Sequence, residues 1–535
     1  MKVFLRGIKK SLLISVFEKR GFSTSKKGEE IIKRVKLFQT QAKGNQLKEV
    51  QVEWESGGRE MEVEWESRGR EVEVEWESGE KRRFKSIWLR DHCGCESCVD
   101  SWSKQKLVLS PHIPLHLSFL RLQLLPHNNS NSLKVLFDDN HSSFFSSQWL
   151  LSKKFLSPPN FTNSNPCNLI EQRREGELKM SVGNTFEGDK LGELEKKKWD
   201  ICLLKKEGVE EPIEFEDFME GGESMVKVFE RVFKFGICFL KNVPQDKEEE
   251  KKEGNGREEE GQREGGGEKE KSYLLRESVG KYFKNSIQQP KQPKHTPQEE
   301  RGKEQDNKSE GGELYGIDFV GDQLGMSRRE TLYGRSWQVK TVEKASNLAY
   351  SSKPLEWHQD LLYMQNPPSL QLLHCNYNET EGGDTLFVDG FLLSSLLKKE
   401  SPLSFHTLSS IPVGYHYYLP NAYLYFHKKT ILETSGDFNT LFSLNYSPHW
   451  MSQLEINNTQ VQPFYSSLQN FSNLMQREEN ICSKHFSPGD LVIFDNRRIL
   501  HARTPFTKMG KRVLRGCYID YDDFHARFRE ILSNI

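Results

Sequence analysis

The sequence predicts a mainly β protein with flanking helices, in which a small cysteine-bearing β domain precedes a larger jelly-roll or barrel domain. Three observations predict it. Short β-rich runs separated by turn residues recur between Tyr333 and Gly390 and again between Ser487 and Tyr518, a pattern that favours a jelly roll or barrel over an α/β sheet. Helix-like patterns flank those runs, as in the segment 228–235. Cys93, Cys95 and Cys98 crowd into one short turn far upstream.

At 535 residues the chain is long enough for two or more domains. Hydrophobic residues make up 35% and charged residues 29%, so part of the chain is expected not to pack. The net charge of −1 gives no reason to expect nucleic acid or an anionic surface as partner. No segment reaches transmembrane length. Residues 1–27 hold eight Lys or Arg against the single acidic Glu18, with apolar residues interleaved and serines towards the end. That is the composition of a mitochondrial transit peptide, with a basic cytoplasmic N-terminus as the alternative. Residues 28–49 read as linker.

The domain expected at 50–156 opens with a repeat of period eleven in residues 50–80, Val-Glu-Trp-Glu-Ser starting at Val52, Val63 and Val74. Its Val-x-Trp alternation is strand-like. One copy reads as an edge strand, with the others looped out or added to that edge. The following Cys93-x-Cys95-x-x-Cys98 offers three thiolates on one tight turn, and soft thiolates suit Zn(II) in a closed tetrahedral site. Of the histidines His112, His116, His127 and His141, the last stands in a strand–turn pattern and is the expected fourth ligand. A site closed by four side chains is structural.

Residues 157–198 read as a linker of low complexity, and residues 199–535 as the second domain. Within it, 228–240 predicts an amphipathic helix, a break at Gly236 and a short buried strand. Residues 245–271 and 288–312 are nearly all Glu, Lys, Gly and Gln, which predicts disordered insertions, with a helix at 273–283 between them.

The chemistry centres on His358 and Asp360. Residues i and i+2 of a strand share a face, so an imidazole and a carboxylate stand side by side. A second His on a neighbouring strand would complete the facial triad that holds non-haem Fe(II) with open positions. His374, His485 and His501 all qualify. Arg503, Arg512 and Arg515 follow the last of them.

Taken together these residues resemble the gamma-butyrobetaine and trimethyllysine group of Fe(II)/2-oxoglutarate dioxygenases, within the taurine dioxygenase-like superfamily. The resemblance rests on Trp88-Leu-Arg-Asp with the three cysteines, Asn347-Leu-Ala-Tyr350, His358-x-Asp360, Gln371-Leu-Leu-His-Cys375, Gly382-Gly-Asp-Thr385 and Asn496-x-Arg-x-Leu-His501-x-Arg503. It implies a double-stranded β-helix catalytic domain behind a zinc-binding N-terminal β domain. His358, Asp360 and His501 would be the iron ligands, and Arg512 with Thr385 would hold the distal carboxylate of 2-oxoglutarate. Tyr333, Trp337, Tyr350 and Tyr518 would cage a trimethylammonium, with Asn347 at the other end of the substrate. Leu361 departs from the pattern, standing where some butyrobetaine enzymes carry another aromatic.

The implied reaction is hydroxylation of gamma-butyrobetaine to L-carnitine with O2, ascorbate serving as reductant. Trimethyllysine or another small acid is the alternative substrate, and a zinc-bearing scaffold is the alternative outside catalysis. Relatives of the group form homodimers, and the basic N-terminus would place this one in the mitochondrial matrix.

Overall fold

The run Leu491–Asp495 is apolar at four consecutive positions because both of its faces are covered. Leu491 and Ile493 join a cluster with the helix residues Val228, Val232, Val320 and Phe528. Val492 and Phe494 join a second cluster with Phe387 and Ile499. A strand buried on one face alternates; one buried on both does not.

The computed structural model describes residues 32–43, 46–55, 61–101, 103–127, 130–153, 177–181, 189–245, 316–340, 348–418, 424–507 and 510–534. Residues 1–27, the insertions beyond Gln245, the helix expected at 273–283 and Asn347 lie outside them. All the described residues fall in one compact unit.

Its C-terminal half is built around two facing sheets. The larger runs in the order Ile213–Glu214, Ile237–Lys241, Leu491–Asp495, Leu370–Asn378, Arg512–Ile519, Ser336–Lys340, with only the first pair parallel. The smaller runs Leu355–His358, Ile499–Arg503, Thr385–Asp389, Cys482–Lys484. Successive strands change sheet: Leu370–Asn378 is followed by Thr385–Asp389 in the other, and Leu491–Asp495 by Ile499–Arg503. This is a jelly roll of two sheets, not hydrogen-bonded into a closed barrel among the described residues. Phe387 and Phe494 meet edge to face across the space between them, centroids 5.5 Å apart.

Helices Gly222–Phe235, Gly316–Leu324 and Tyr521–Ser533 cover the outer face of the larger sheet. The first matches its sequence pattern and ends at Gly236, whose φ of +73° lets its N–H reach the carbonyl of Val232. A Cβ there would also lie 2.9 Å from the Arg498 side chain. Arg498 is fully buried and pairs bidentately with Asp389, at 2.9 and 2.8 Å. The same carboxylate accepts from the backbone N–H of Trp199 and of Phe391. One ion pair thus ties together the entry to this half, a helix N-terminus and the turn that leads to His501.

The N-terminal half departs from the expected boundaries. Residues 32–43 are not linker but a strand paired with both Gln46–Glu55 and Glu71–Trp76. Val35 opposes Val74, and both are fully buried; the charged residues around Val35 in the sequence hide the strand. All three repeat copies form strands. The third is interior, between Ile32–Lys43 and Lys81–Lys85, while the first two lie at the edges of two different four-stranded sheets. The 157–198 segment is also not linker throughout: Lys179–Met180 pairs with Thr440–Leu444, and Asp189 caps a turn at Lys190–Glu193 and pairs with Arg529.

The two halves share one apolar core, in which Trp76, Trp88 and Phe137 belong with Leu454, Phe464 and Tyr465. Polar groups fix the junction. Trp88 Nε1 donates to the carbonyl of Leu454 at 3.0 Å, and the Leu454 N–H donates back to His92 Nε2 at 2.9 Å. Buried Asp91 accepts from Lys106, Ser110 and Tyr465. The Trp-Leu-Arg-Asp run is therefore a docking element beside the cysteines.

Candidate active site

His358 and His501 stand opposite each other on neighbouring antiparallel strands, ring centroids 4.1 Å apart. Asp360 joins them, and one ligand atom of each lies within 4.8 Å of the others. The two side chains come together by a different path from the one the i, i+2 spacing suggests. The strand ends at His358 after an irregularity in its register, and Asp360 sits in the following turn. Leu361, with a φ of +60°, completes that turn. A non-glycine residue held there needs its surroundings to enforce it, and they do. Asn496 accepts from the Asp360 N–H at 2.9 Å and donates to its carbonyl at 3.1 Å. Gln359 bonds the backbone of both Asn496 and Tyr446.

The side chains are poised as ligands. His358 Nδ1 donates to the carbonyl of Glu356 at 2.7 Å, leaving Nε2 for the centre. Burial, and then the neighbouring His358, push the His501 pKa well below its usual value, which keeps the ring in its neutral, metal-binding form. Its Nδ1 is buried without a hydrogen-bond partner. Asp360 Oδ2 accepts from Tyr518 at 3.0 Å and Gln371 at 2.8 Å, while Oδ1 lies 3.6 Å from His358 Nε2. Gln371 and Tyr518 are register partners on adjacent strands, so their donors arrive together. Two imidazoles and one oriented carboxylate fit Fe(II). His485, bonded to Asp384 and half exposed, and His374, buried outside this cavity, are not part of the group.

Outer donors of this kind typically affect metal affinity by about 10–100-fold. Gln371→Leu is therefore expected to weaken Mn(II) binding at the site by at least about tenfold, measured by calorimetry. Unchanged affinity would remove Gln371 from the role of positioning Asp360.

Thr385, Arg503 and Arg512 line the same cavity. The two guanidinium groups differ in what they already hold. Arg503 donates to the backbone carbonyls of Ala349, Ser351 and Lys353, at 2.9, 2.6 and 2.7 Å. Arg512 makes one long bond, 3.4 Å to the Gly383 carbonyl, and its Nε is buried without a partner. Burial depresses the pKa of both, that of Arg503 to about 9 with Arg512 as second cause. A buried, underused guanidinium is a receptor for a carboxylate. Arg512 fits that description; Arg503 is a tether for the segment that carries Tyr350. Arg515 does not line the cavity.

Tyr333, Trp337, Tyr350 and Tyr518 all line the cavity. On Arg512–Ile519 the alternate residues Arg512, Leu514 and Tyr518 face it, and Gly516 stands between them. A Cβ on Gly516 would lie 2.2 Å from the Trp337 ring, so this glycine makes room for the indole that pairs opposite it. Tyr363 and Trp450 line the cavity as well and are absent from the sequence-based set. Tyr363 OH is 3.4 Å from Tyr333 OH.

In the N-terminal half, His141 Nε2 lies 3.2, 3.6 and 3.4 Å from the sulfurs of Cys93, Cys95 and Cys98. With Zn–S about 2.3 Å and Zn–N about 2.0–2.1 Å, a tetrahedral ion separates sulfur from nitrogen by about 3.5 Å. The four residues fit zinc. Arg90 donates to Cys98 Sγ at 3.1 Å and to Asp139 at 2.7 Å, and Asp139 accepts from the His141 N–H.

With fold and site in place, comparison with known proteins gives two family matches on the one chain. Residues 318–518 match the taurine catabolism dioxygenase TauD, TfdA family, so this half has the fold of that class. Residues 63–151 match the gamma-butyrobetaine hydroxylase-like N-terminal family. Dioxygenase str8 of Strobilurus tenacellus is 26% identical over 464 residues, 84% of this chain and 85% of that protein. Trimethyllysine dioxygenase of Meyerozyma guilliermondii is 26% identical over 461 residues, 84% of this chain and 90% of that protein. Human gamma-butyrobetaine dioxygenase is 34% identical over 212 residues, 38% of this chain and 54% of that protein. In both halves, therefore, the chain is similar to the gamma-butyrobetaine and trimethyllysine dioxygenase group of the TauD-like oxygenases. It is a 2-oxoglutarate-dependent dioxygenase, with Fe(II) and 2-oxoglutarate following from the family.

Proposed function

We propose that this dioxygenase hydroxylates gamma-butyrobetaine to L-carnitine. The observation that carries the proposal is the cavity's lining: six aromatic rings, and among the described residues one carboxylate, Asp360. A trimethylammonium cannot donate a hydrogen bond and is held by aromatic faces, at about 0.5–2 kcal/mol per contact. Trimethyllysine carries a further ammonium that needs an anionic partner, and Asp360 is engaged by Gln371 and Tyr518 beside the histidines.

In this reading His358, Asp360 and His501 hold the iron, and Arg512 assisted by Thr385 takes the distal carboxylate of 2-oxoglutarate. When bound, the iron supplies the oxidising centre at which O2, 2-oxoglutarate and a substrate C–H become succinate, CO2 and a C–OH. The chain's own work is positioning. Arg512 fixes the cosubstrate, the aromatic rings fix the cationic end of the substrate, and Arg503 holds the backbone that presents Tyr350. Asn347 is the proposed contact for the substrate's other end. Zinc in the Cys93, Cys95, Cys98, His141 cluster is structural in this reading, since no position is left open.

Four of the supporting relatives, those of mouse and human among them, are named mitochondrial trimethyllysine dioxygenases. Together with the basic N-terminus they support a mitochondrial location. A fluorescent fusion of residues 1–27 should enter mitochondria; a diffuse fusion would contradict that location.

The cage is tested by comparing gamma-butyrobetaine with its carbon isostere 5,5-dimethylhexanoate, in which a neutral tert-butyl group replaces the trimethylammonium, for binding to Mn(II)- and 2-oxoglutarate-loaded protein. At about 0.5–2 kcal/mol per aromatic contact, the cation should bind at least about tenfold more tightly. Equal affinities would mean that the aromatic rings serve as ordinary apolar walls.

A further inference from the structure

The zinc cluster and the catalytic cavity are joined by a short relay of backbone hydrogen bonds. The carbonyl of the ligand residue Cys98 accepts from the N–H of Leu107 at 2.8 Å, and Val99 bridges Lys106 in antiparallel fashion. Lys106 is bonded twice to the catalytic half. Its N–H donates to the carbonyl of His449 at 3.1 Å, and His449 Nδ1 donates to the carbonyl of Lys106 at 3.0 Å. The next residue is Trp450, which lines the cavity. Its ring lies 4.9 Å from that of Tyr417 and 5.7 Å, edge to face, from that of Tyr363.

We propose that Trp450 is a specificity-determining wall of the substrate pocket and that the zinc module holds it in position through Lys106 and His449. The proposal rests on the substrate reading given above and adds a function for the zinc module. The turn at Pro448–Trp450 is three residues long and has no side-chain cap. On its far side it is tied by the Ser452 N–H to the carbonyl of Gly414 and by the Met451–Tyr415 bridge. On its near side, Lys106 is the segment bonded to His449. Lys106 is itself anchored: its ammonium lies 2.8 Å from buried Asp91, which also accepts from Tyr465. A metal that closes the loop at Cys98 restrains the Val99–Lys106 bridge and, through it, one side of the turn. Loss of the metal frees that side. Arg512, by contrast, sits on Arg512–Ile519 in the larger sheet, and among the described residues none of the zinc loop bridges it. The effect should therefore fall on the substrate and spare 2-oxoglutarate.

The test uses the full chain with Mn(II) in the iron site. Zinc is removed by chelation, Mn(II) is restored, and wild-type protein is compared with Trp450→Leu. Hydrogen exchange is followed in the peptide 446–454, and calorimetry gives affinities for gamma-butyrobetaine and 2-oxoglutarate. Zinc removal should accelerate exchange in that peptide. It should weaken gamma-butyrobetaine by roughly 2- to 30-fold, the worth of one aromatic face, with 2-oxoglutarate little changed. Trp450→Leu with zinc in place should give the same binding pattern, and removing zinc from it should add little, because effects that share one element are not additive. Unchanged exchange, equal losses for both ligands, or losses that multiply independently would overturn the proposal. If zinc removal unfolds the chain, His449→Leu with zinc retained should reproduce the selective loss, and unchanged substrate affinity in it would overturn the proposal. Wild-type protein that binds 2-oxoglutarate but not gamma-butyrobetaine would count against the substrate reading alone, and the exchange result would still decide the coupling.

Discussion

His501→Ala is expected to abolish metal binding at the catalytic site and succinate formation with it, while the circular dichroism spectrum stays that of the wild type. The residue supplies one of three ligand atoms lying within 4.8 Å of one another, and among the described residues no histidine besides His358 and His501 joins that group. His485→Ala is the matching control. His485 is half exposed and bonded to Asp384, so its loss should leave both metal binding and turnover in place. Metal binding that survived His501→Ala and vanished in His485→Ala would reverse the assignment.

Arg512→Ala should act on the cosubstrate. Its guanidinium is buried and has one long bond to the protein, so most of its donor capacity is free for a carboxylate. Removing one member of a buried, hydrogen-bonded charge pair costs about 2–5 kcal/mol, which is at least about 30-fold in the KM for 2-oxoglutarate. Arg503→Ala should show a different pattern. Its three carbonyl bonds hold 349–353, so its loss should raise the KM for the substrate more than that for 2-oxoglutarate. Both constants come from the same steady-state assay, and a 2-oxoglutarate defect confined to Arg503→Ala would exchange the two roles.

How far the sequence carried these assignments depended on whether a residue's neighbours were near it in the chain. The Gly236 break, the buried strand after it and the Cys93, Cys95, Cys98 turn are local patterns, and they stand as read. His358 and Asp360 were legible through their spacing, although the chain brings them together around a turn and not along a straight strand. Gln371 carried no such signal. It looks like one polar residue in a buried strand, and its role comes from the register that sets it opposite Tyr518. Trp450 lies far in sequence from the other cavity aromatics and reaches them only through the packing of its turn on Tyr363 and Tyr417. Arg503 and Arg512 could not be separated by chain position, because the difference lies in which carbonyls each one meets. The strand at 32–43 was hidden for the opposite reason: a charged composition masked the buried Ile32 and Val35.

The central claim is that this site couples 2-oxoglutarate decarboxylation to hydroxylation of a trimethylammonium carboxylate. Its most direct test is turnover by anaerobically purified protein given Fe(II), ascorbate, 2-oxoglutarate and O2, with gamma-butyrobetaine and trimethyllysine in parallel. Succinate and hydroxylated product are quantified together by mass spectrometry. The account predicts equimolar succinate and hydroxylated product with gamma-butyrobetaine, and a slower reaction with trimethyllysine. Faster turnover of trimethyllysine, or no stimulation by either compound in protein that binds metal and 2-oxoglutarate, would contradict it.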